Sequence, residues 1–141
     1  MAITKIQSES LNLADDYTFT GTITGAGASQ EIGTWTPTWS LGGGTITSID
    51  TTDYSYIKIG RIVVAQVQAH LNTSSGSGTI DFTLPFTPSG SGSFPAFEFG
   101  QAGAIFGGQY YSGQNFGRMY RLSGFIANPL FKATVTYMSA S

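Results

Sequence analysis

From residue 33 to residue 41 the bulky side chains fall on every second position: Trp35, Pro37, Trp39 and Leu41, separated by Thr36, Thr38 and Ser40. That is the period of a strand with one buried face. Pro37 has no N–H to give to a ladder, so this strand is expected at a sheet edge with its rings turned inward. The chain should return as a second strand ending near Ile59, and Gly60 marks a tight turn into Arg61 and a third strand. There Val63, Ala65, Val67, Ala69 and Leu71 share one face, and Val64, Gln66, Gln68, His70 and Asn72 share the other. Residues 74–78 read as a hairpin loop, after which Ile80, Phe82 and Leu84 point inward opposite Thr79, Asp81 and Thr83. Pro85 and Pro88 end that strand, and residues 89–93 form another loop. Short strands are predicted around residues 94–99, 102–106, 109–111, 119–123 and 131–137. No segment keeps an apolar period of 3.6, so almost no helix is expected. Many short strands with a turn signal about every eight to twelve residues predict an all-β fold, an antiparallel β-sandwich of jelly-roll-like form.

The first thirty-two positions read differently. Tyr17, Phe19, Gly21 and Ile23 alternate with four threonines, and a small-residue break follows at residues 25–29. Two arrangements fit: residues 1–32 form an extended leader ahead of a β domain at 33–141, or residues 17–24 are the first strand of the sandwich. Fully extended, such a leader spans at most roughly 100 Å.

Composition narrows the function classes. The chain has 141 residues, one domain's worth. It has no cysteine, which rules out disulfides and thiolate metal sites. Only 10% of residues are charged while 13% are aromatic, the reverse of a disordered chain. So weakly charged a surface is suited to being hidden in an assembly. A net charge of −2 without a basic run argues against nucleic-acid partners. No apolar run approaches the ~20 residues of a spanning helix, so no membrane insertion is expected. The first residues lack the apolar segment of a signal peptide, which points to synthesis in a reducing cytoplasm.

Catalysis requires a group whose protonation or nucleophilicity can be tuned. His70 is the single histidine and sits mid-strand on the polar face, with no Gly-x-Ser-x-Gly around any serine. Asp50 and Asp53 are too sparse for a calcium loop and read as turn formers that bond their own backbone. No catalytic residue, cofactor or metal site is expected, and the chain is read as non-enzymatic. The remaining candidate is the stretch holding Phe106, Gln109, Tyr110, Tyr111, Gln114, Asn115, Phe116, Arg118, Tyr120 and Arg121. Aromatic faces beside amide and guanidinium donors match a sugar ring with apolar faces and a hydroxyl rim. A loop over residues 109–118, its turns eased by Gly107, Gly108, Gly113 and Gly117, would present Gln109, Tyr110, Tyr111, Gln114, Asn115 and Arg118 to a glycan or partner. The alternative is that Phe106, Phe116 and Tyr120 belong to the core or a subunit contact.

Three markers carry a resemblance: Gly33-x-Trp35-x-Pro37, then Tyr56-x-Lys58-Ile59-Gly60-Arg61, then Leu84-Pro85-Phe86. Together they resemble a module at the C-terminal ends of bacteriophage tail-fibre and other virion surface proteins. The first residues, Ile3 to Asp16, are similar to the leader of short marine-phage structural proteins. The resemblance implies a small trimeric β-sandwich on a virion surface, with residues 1–32 joining other capsid or tail proteins. A small trimer seated on the shell, a capsid decoration (cement) protein, fits a chain without a long shaft. A short tail-fibre or receptor-binding tip that recognises host-surface glycan is the other placement.

Overall fold

The computed structural model describes residues 29–73, 78–98, 104–120 and 128–141. Residues 1–28 of the expected leader, which include the threonine-rich segment at 17–24, and most of the loop at 74–78 lie outside them. The described residues form nine strands and no helix. These are β1 (Gln30–Thr34), β2 (Trp39–Leu41), β3 (Ile46–Ile59), β4 (Ile62–Thr73), β5 (Thr79–Thr83), β6 (Gly92–Glu98), β7 (Ala104–Tyr110), β8 (Phe116–Tyr120) and β9 (Leu130–Met138). They make one antiparallel sheet in the order β1-β3-β4-β9-β6-β7-β8-β5-β2. The all-β antiparallel fold therefore stands. It takes the form of one continuous curled sheet, not two separately hydrogen-bonded ones.

The curl follows from where the two edge strands lie. β1 and β2 are at opposite ends of the sheet yet are consecutive in sequence, joined by residues 35–38. Trp35 Nε1 donates to the Thr83 carbonyl at 3.0 Å, and the Thr83 N–H donates to the Thr38 carbonyl, also at 3.0 Å. From β2, Trp39 reaches Phe131 of β9 at a centroid distance of 5.3 Å. Phe82 of β5 meets Phe94 of β6 at 5.9 Å. Strands far apart in the ladder thus meet across the interior of the curled sheet.

Residues 34–41 alternate between exposed and at least half-buried positions, with Trp35, Pro37, Trp39 and Leu41 inward as the pattern predicts. The ladder is interrupted, however: only residues 39–41 pair as an edge strand, and Pro37 sits in the crossover, where no N–H is required. In β4 the five inward side chains are buried, and slipping the register by one would carry Gln66, Gln68 and His70 inside. Each such burial without partners costs about 1–3 kcal/mol, so the register is fixed by the pattern. The β3–β4 turn has two central residues, and Gly60 has φ 58°. A positive φ at the first central position is what a type II′ hairpin needs.

Four details correct the sequence picture. β1 begins at Gln30, inside the stretch assigned to the leader. Asp50 and Asp53 lie within β3, flanking a register shift against β4, and form no turn. The two strands expected at 102–106 and 109–111 are one, β7. Gly107 and Gly108 are mid-strand; the inward one, Gly108, leaves room for the Phe94 ring against its backbone.

Two predictions follow from this core. Trp39 packs on Phe82, Phe131 and Tyr54, so Trp39→Ala should cost about 3 kcal/mol in a denaturant titration. A variant as stable as the parent would mean the cross-interior contact carries no weight. Tyr137 is buried and accepts from the Phe86 N–H at 3.1 Å. Burial pushes its pKa up to about 12, against the partial opposition of that bond. Between pH 10 and about 12 the unfolded chain loses this proton before the folded one does. Stability should therefore fall as pH rises through that window, by about 2–3 kcal/mol from this group. Tyr137→Phe should flatten the alkaline slope, read as Tm against pH; an unchanged slope would assign it to other tyrosines.

Candidate functional site

The period of two divides β5, β7 and β8 between the interior and the outer face. Ile80, Phe82, Gly108, Gly117 and Met119 are buried, while Asp81, Gln109, Phe116, Arg118 and Tyr120 point outward. Cross-strand register aligns Asp81 with Arg118, and Arg118 with Gln109. Arg118 holds Asp81 in a fork, Nε to Oδ1 at 2.7 Å and Nη2 to Oδ2 at 2.6 Å. Its guanidinium also lies 5.4 Å from the Phe116 ring centre. Pairing with Asp81 raises the Arg118 pKa further, so it is charged wherever the protein folds. Tyr111 Oη donates to Gln109 Oε1 at 2.9 Å and is 3.1 Å from Tyr120 Oη. With its one proton given to Gln109, Tyr111 must accept from Tyr120.

Of the residues singled out in the sequence, the structure brings together Gln109, Tyr111 and Arg118. Gln114 and Asn115 occupy the exposed β7–β8 loop, where the Gln114 N–H donates to the Tyr111 carbonyl and the Asn115 carbonyl accepts from Leu84. Tyr110 does not join them. It turns inward over Gly92, packs 5.7 Å from the Tyr137 ring, and donates to the Thr136 carbonyl at 3.2 Å. Phe116 and Tyr120 are half-buried on the outer face, away from the core. The expected 109–118 loop is shorter, since Gln109, Tyr110 and Arg118 are strand residues.

Sequence reasoning missed a second feature of this face. β6 pairs with β7 along its length but with β9 only from Ala96 to Glu98. Pro95 has no N–H to continue that ladder. The Thr136 carbonyl accepts the Tyr110 hydroxyl instead. On the outer face the ladder's end opens a hollow of about 380 Å³ lined by Pro95, Phe97, Lys132 and Thr134. Beside it, above Gly107, lies another of about 480 Å³ bordered by Ser93, Gln109 and Tyr120. Alternation alone did not decide it: Phe94, Ala96 and Glu98 share one face and Pro95 and Phe97 the other, and the structure turns the face holding Glu98 inward, which puts the Phe97 ring outside.

Among the described residues the remaining titratable groups form no reactive set. His70 is half-buried on the outer face, its Nδ1 4.0 Å from Asp50 Oδ2, and Asn72 donates to the same carboxylate at 2.5 Å. Among the described residues no three His, Cys, Asp or Glu side chains gather where they could hold a metal ion. Asp81 points outward and Glu98 inward, so these carboxylates do not face each other. No known protein family, curated protein or solved structure matches this chain.

The Asp81–Arg118 pair is forked but partly exposed, and such pairs contribute about 0.5–1 kcal/mol. A double-mutant cycle with Asp81→Asn and Arg118→Gln should return a coupling of that size, shrinking as salt is raised. A coupling of several kcal/mol would contradict the solvated geometry.

Proposed function

We propose that this chain is a non-enzymatic structural protein of a bacteriophage virion surface, a capsid decoration protein that assembles as a homotrimer. The observation that carries the assembly is an apolar field on the outer face of β1, β3, β4 and β9. Register places Ile32 opposite Ile57 and Ile57 opposite Val64; in the next outward row Ile59 faces Ile62, and Ile62 faces Met138. Ile32 is 68% exposed, and Ile57, Ile59, Ile62 and Met138 are between 41% and 50% exposed. A contiguous patch of this kind on a water-facing sheet marks an interaction surface.

Two further features support a partner of the same kind. Among the described residues β1 is an edge strand, and its outer backbone edge lies beside the apolar field. A hollow of about 210 Å³ between Ile32, Ile57 and Val64 is shaped to receive a side chain. The placement on a virion rests on the resemblance carried by Trp35, Pro37, Lys58, Gly60 and Pro85. That resemblance places the grip on the shell in residues 1–32, of which 1–28 lie outside the described part.

Light scattering should give three times the chain mass, and the interface should bury well over ~1,000 Å². Ile57→Glu with Ile62→Glu places two charges in the field without touching the interior, and should return a folded monomer. A parent protein that is monomeric at micromolar concentration defeats the assembly reading. Labelled protein absent from virions defeats the placement.

A further inference from the structure

We propose that the two hollows flanking Pro95 form one groove that binds an acidic oligosaccharide. The groove lies beside the apolar field and meets it along the polar row Ser55, Gln66 and Thr134, of which Thr134 lines the groove and Ser55 and Gln66 line the hollow in the field. It goes beyond the assembly reading, and stands or falls without it.

The floor is backbone. A Cβ built on Gly107 meets no described atom within 4 Å, so the missing side chain leaves open space above β7. Register sets Tyr120 on one side of Gly107 and Pro95 on the other. Beyond Pro95, Phe97 stands opposite Lys132. From β8 to β9 the groove crosses three strand spacings, about 14 Å, which is long for one sugar and suited to a short chain of them.

The lining fits a saccharide. Phe97 is 48% exposed, and the half-buried Tyr120 ring is fixed through its hydroxyl by Tyr111. Two aromatic groups near opposite ends offer stacking for the apolar faces of pyranose rings. At the Tyr120 end, two residues along β7 from Gly107 and on the side away from Phe97, Gln109 borders the hollow with an amide whose oxygen is occupied by Tyr111, leaving its two N–H donors to meet hydroxyls.

Charge selects the class. Arg118 is neutralised by Asp81 at one border of the groove. Lys132 forms no salt bridge with another described residue and is exposed. The nearest acid in its row is Asp53, two strands away beyond Gln68, about 10 Å. A carboxylate-bearing sugar seated at the Phe97 end gives that ammonium its counter-charge, which a neutral sugar does not.

The test titrates the full chain with tetragalacturonate, sialyllactose and neutral maltotetraose by calorimetry. At least one acidic probe should bind, and bind more tightly than maltotetraose. Gly107→Val fills the floor in space the fold leaves empty, and should weaken binding at least tenfold with an unchanged circular dichroism spectrum. Lys132→Gln, an exposed change that keeps the proposal testable should the valine variant not fold, should erase the preference for the acidic probe. Failure of every probe to bind at millimolar concentration overturns the proposal. So does binding that survives both substitutions, or a single-stranded oligonucleotide that binds as tightly as the acidic sugars. Gly107→Val converting an oligomer to a monomer would make the groove a subunit contact, which also overturns it.

Discussion

The structure depends on one closure. A nine-stranded antiparallel sheet with one apolar face must hide that face, and here the sheet hides it from itself. The segment 35–38 makes this possible because it leaves one edge strand and immediately begins the other. Trp35 and Thr38 fasten that crossover to Thr83, and Trp39 fills the space between β5 and β9. An aromatic cluster is suited to the task, since a large ring spans the gap between layers that aliphatic side chains would leave void. The indole N–H of Trp39 is buried without a well-formed hydrogen bond. Burial raises the pKa of the neighbouring Tyr54 phenol, and the Trp39 N–H only partly offsets it. That unmet donor is a cost of closure, tolerated because three rings pack on the same indole.

Curling also decides what the outer face can be. Among the described residues most of the strongly exposed apolar side chains lie together on the convex side, with Ile49 and Phe97 apart from them. The isoleucines gather at the β3–β4 hairpin end, while charge pairs, amides and tyrosines occupy β5, β7 and β8. A polar row separates the two regions. Such a division lets one surface be covered by protein without obstructing the other.

The sequence made the facing of residues legible, and not their neighbours. Alternation placed Val63 to Leu71, Ile80 to Leu84 and the Trp35–Leu41 row correctly, because a period of two needs only local information. It could not show that β9 lies between β4 and β6, since register across distant strands is set by tertiary packing. Gly107 and Gly108 misled because glycine signals both turns and close approach, and here the Phe94 ring, distant in sequence, decides the matter. Asp50 and Asp53 misled similarly: a bulge and a turn draw on the same residues. Of the candidate site, Gln109, Tyr111 and Arg118 were legible from composition. Tyr110 was not, because its inward face follows from strand parity and its task from Pro95. Lys132 and Phe97 entered only when the ladder's end at Pro95 brought them beside β7.

The two outer regions have different energetic demands, and these favour their coexistence. An open groove with few fixed donors immobilises a flexible sugar chain at considerable entropic cost, so a single site should bind weakly. An apolar field with five strongly exposed side chains can instead hold subunits together by burial alone. If the field joins three copies, three grooves are carried on one rigid body. Each added contact to a polymeric acidic surface then becomes intramolecular, and overall binding rises by orders of magnitude without a change in any groove. Weakness of the individual site is consistent with that arrangement, because a reversible contact repeated many times binds a repeating surface while each contact still exchanges.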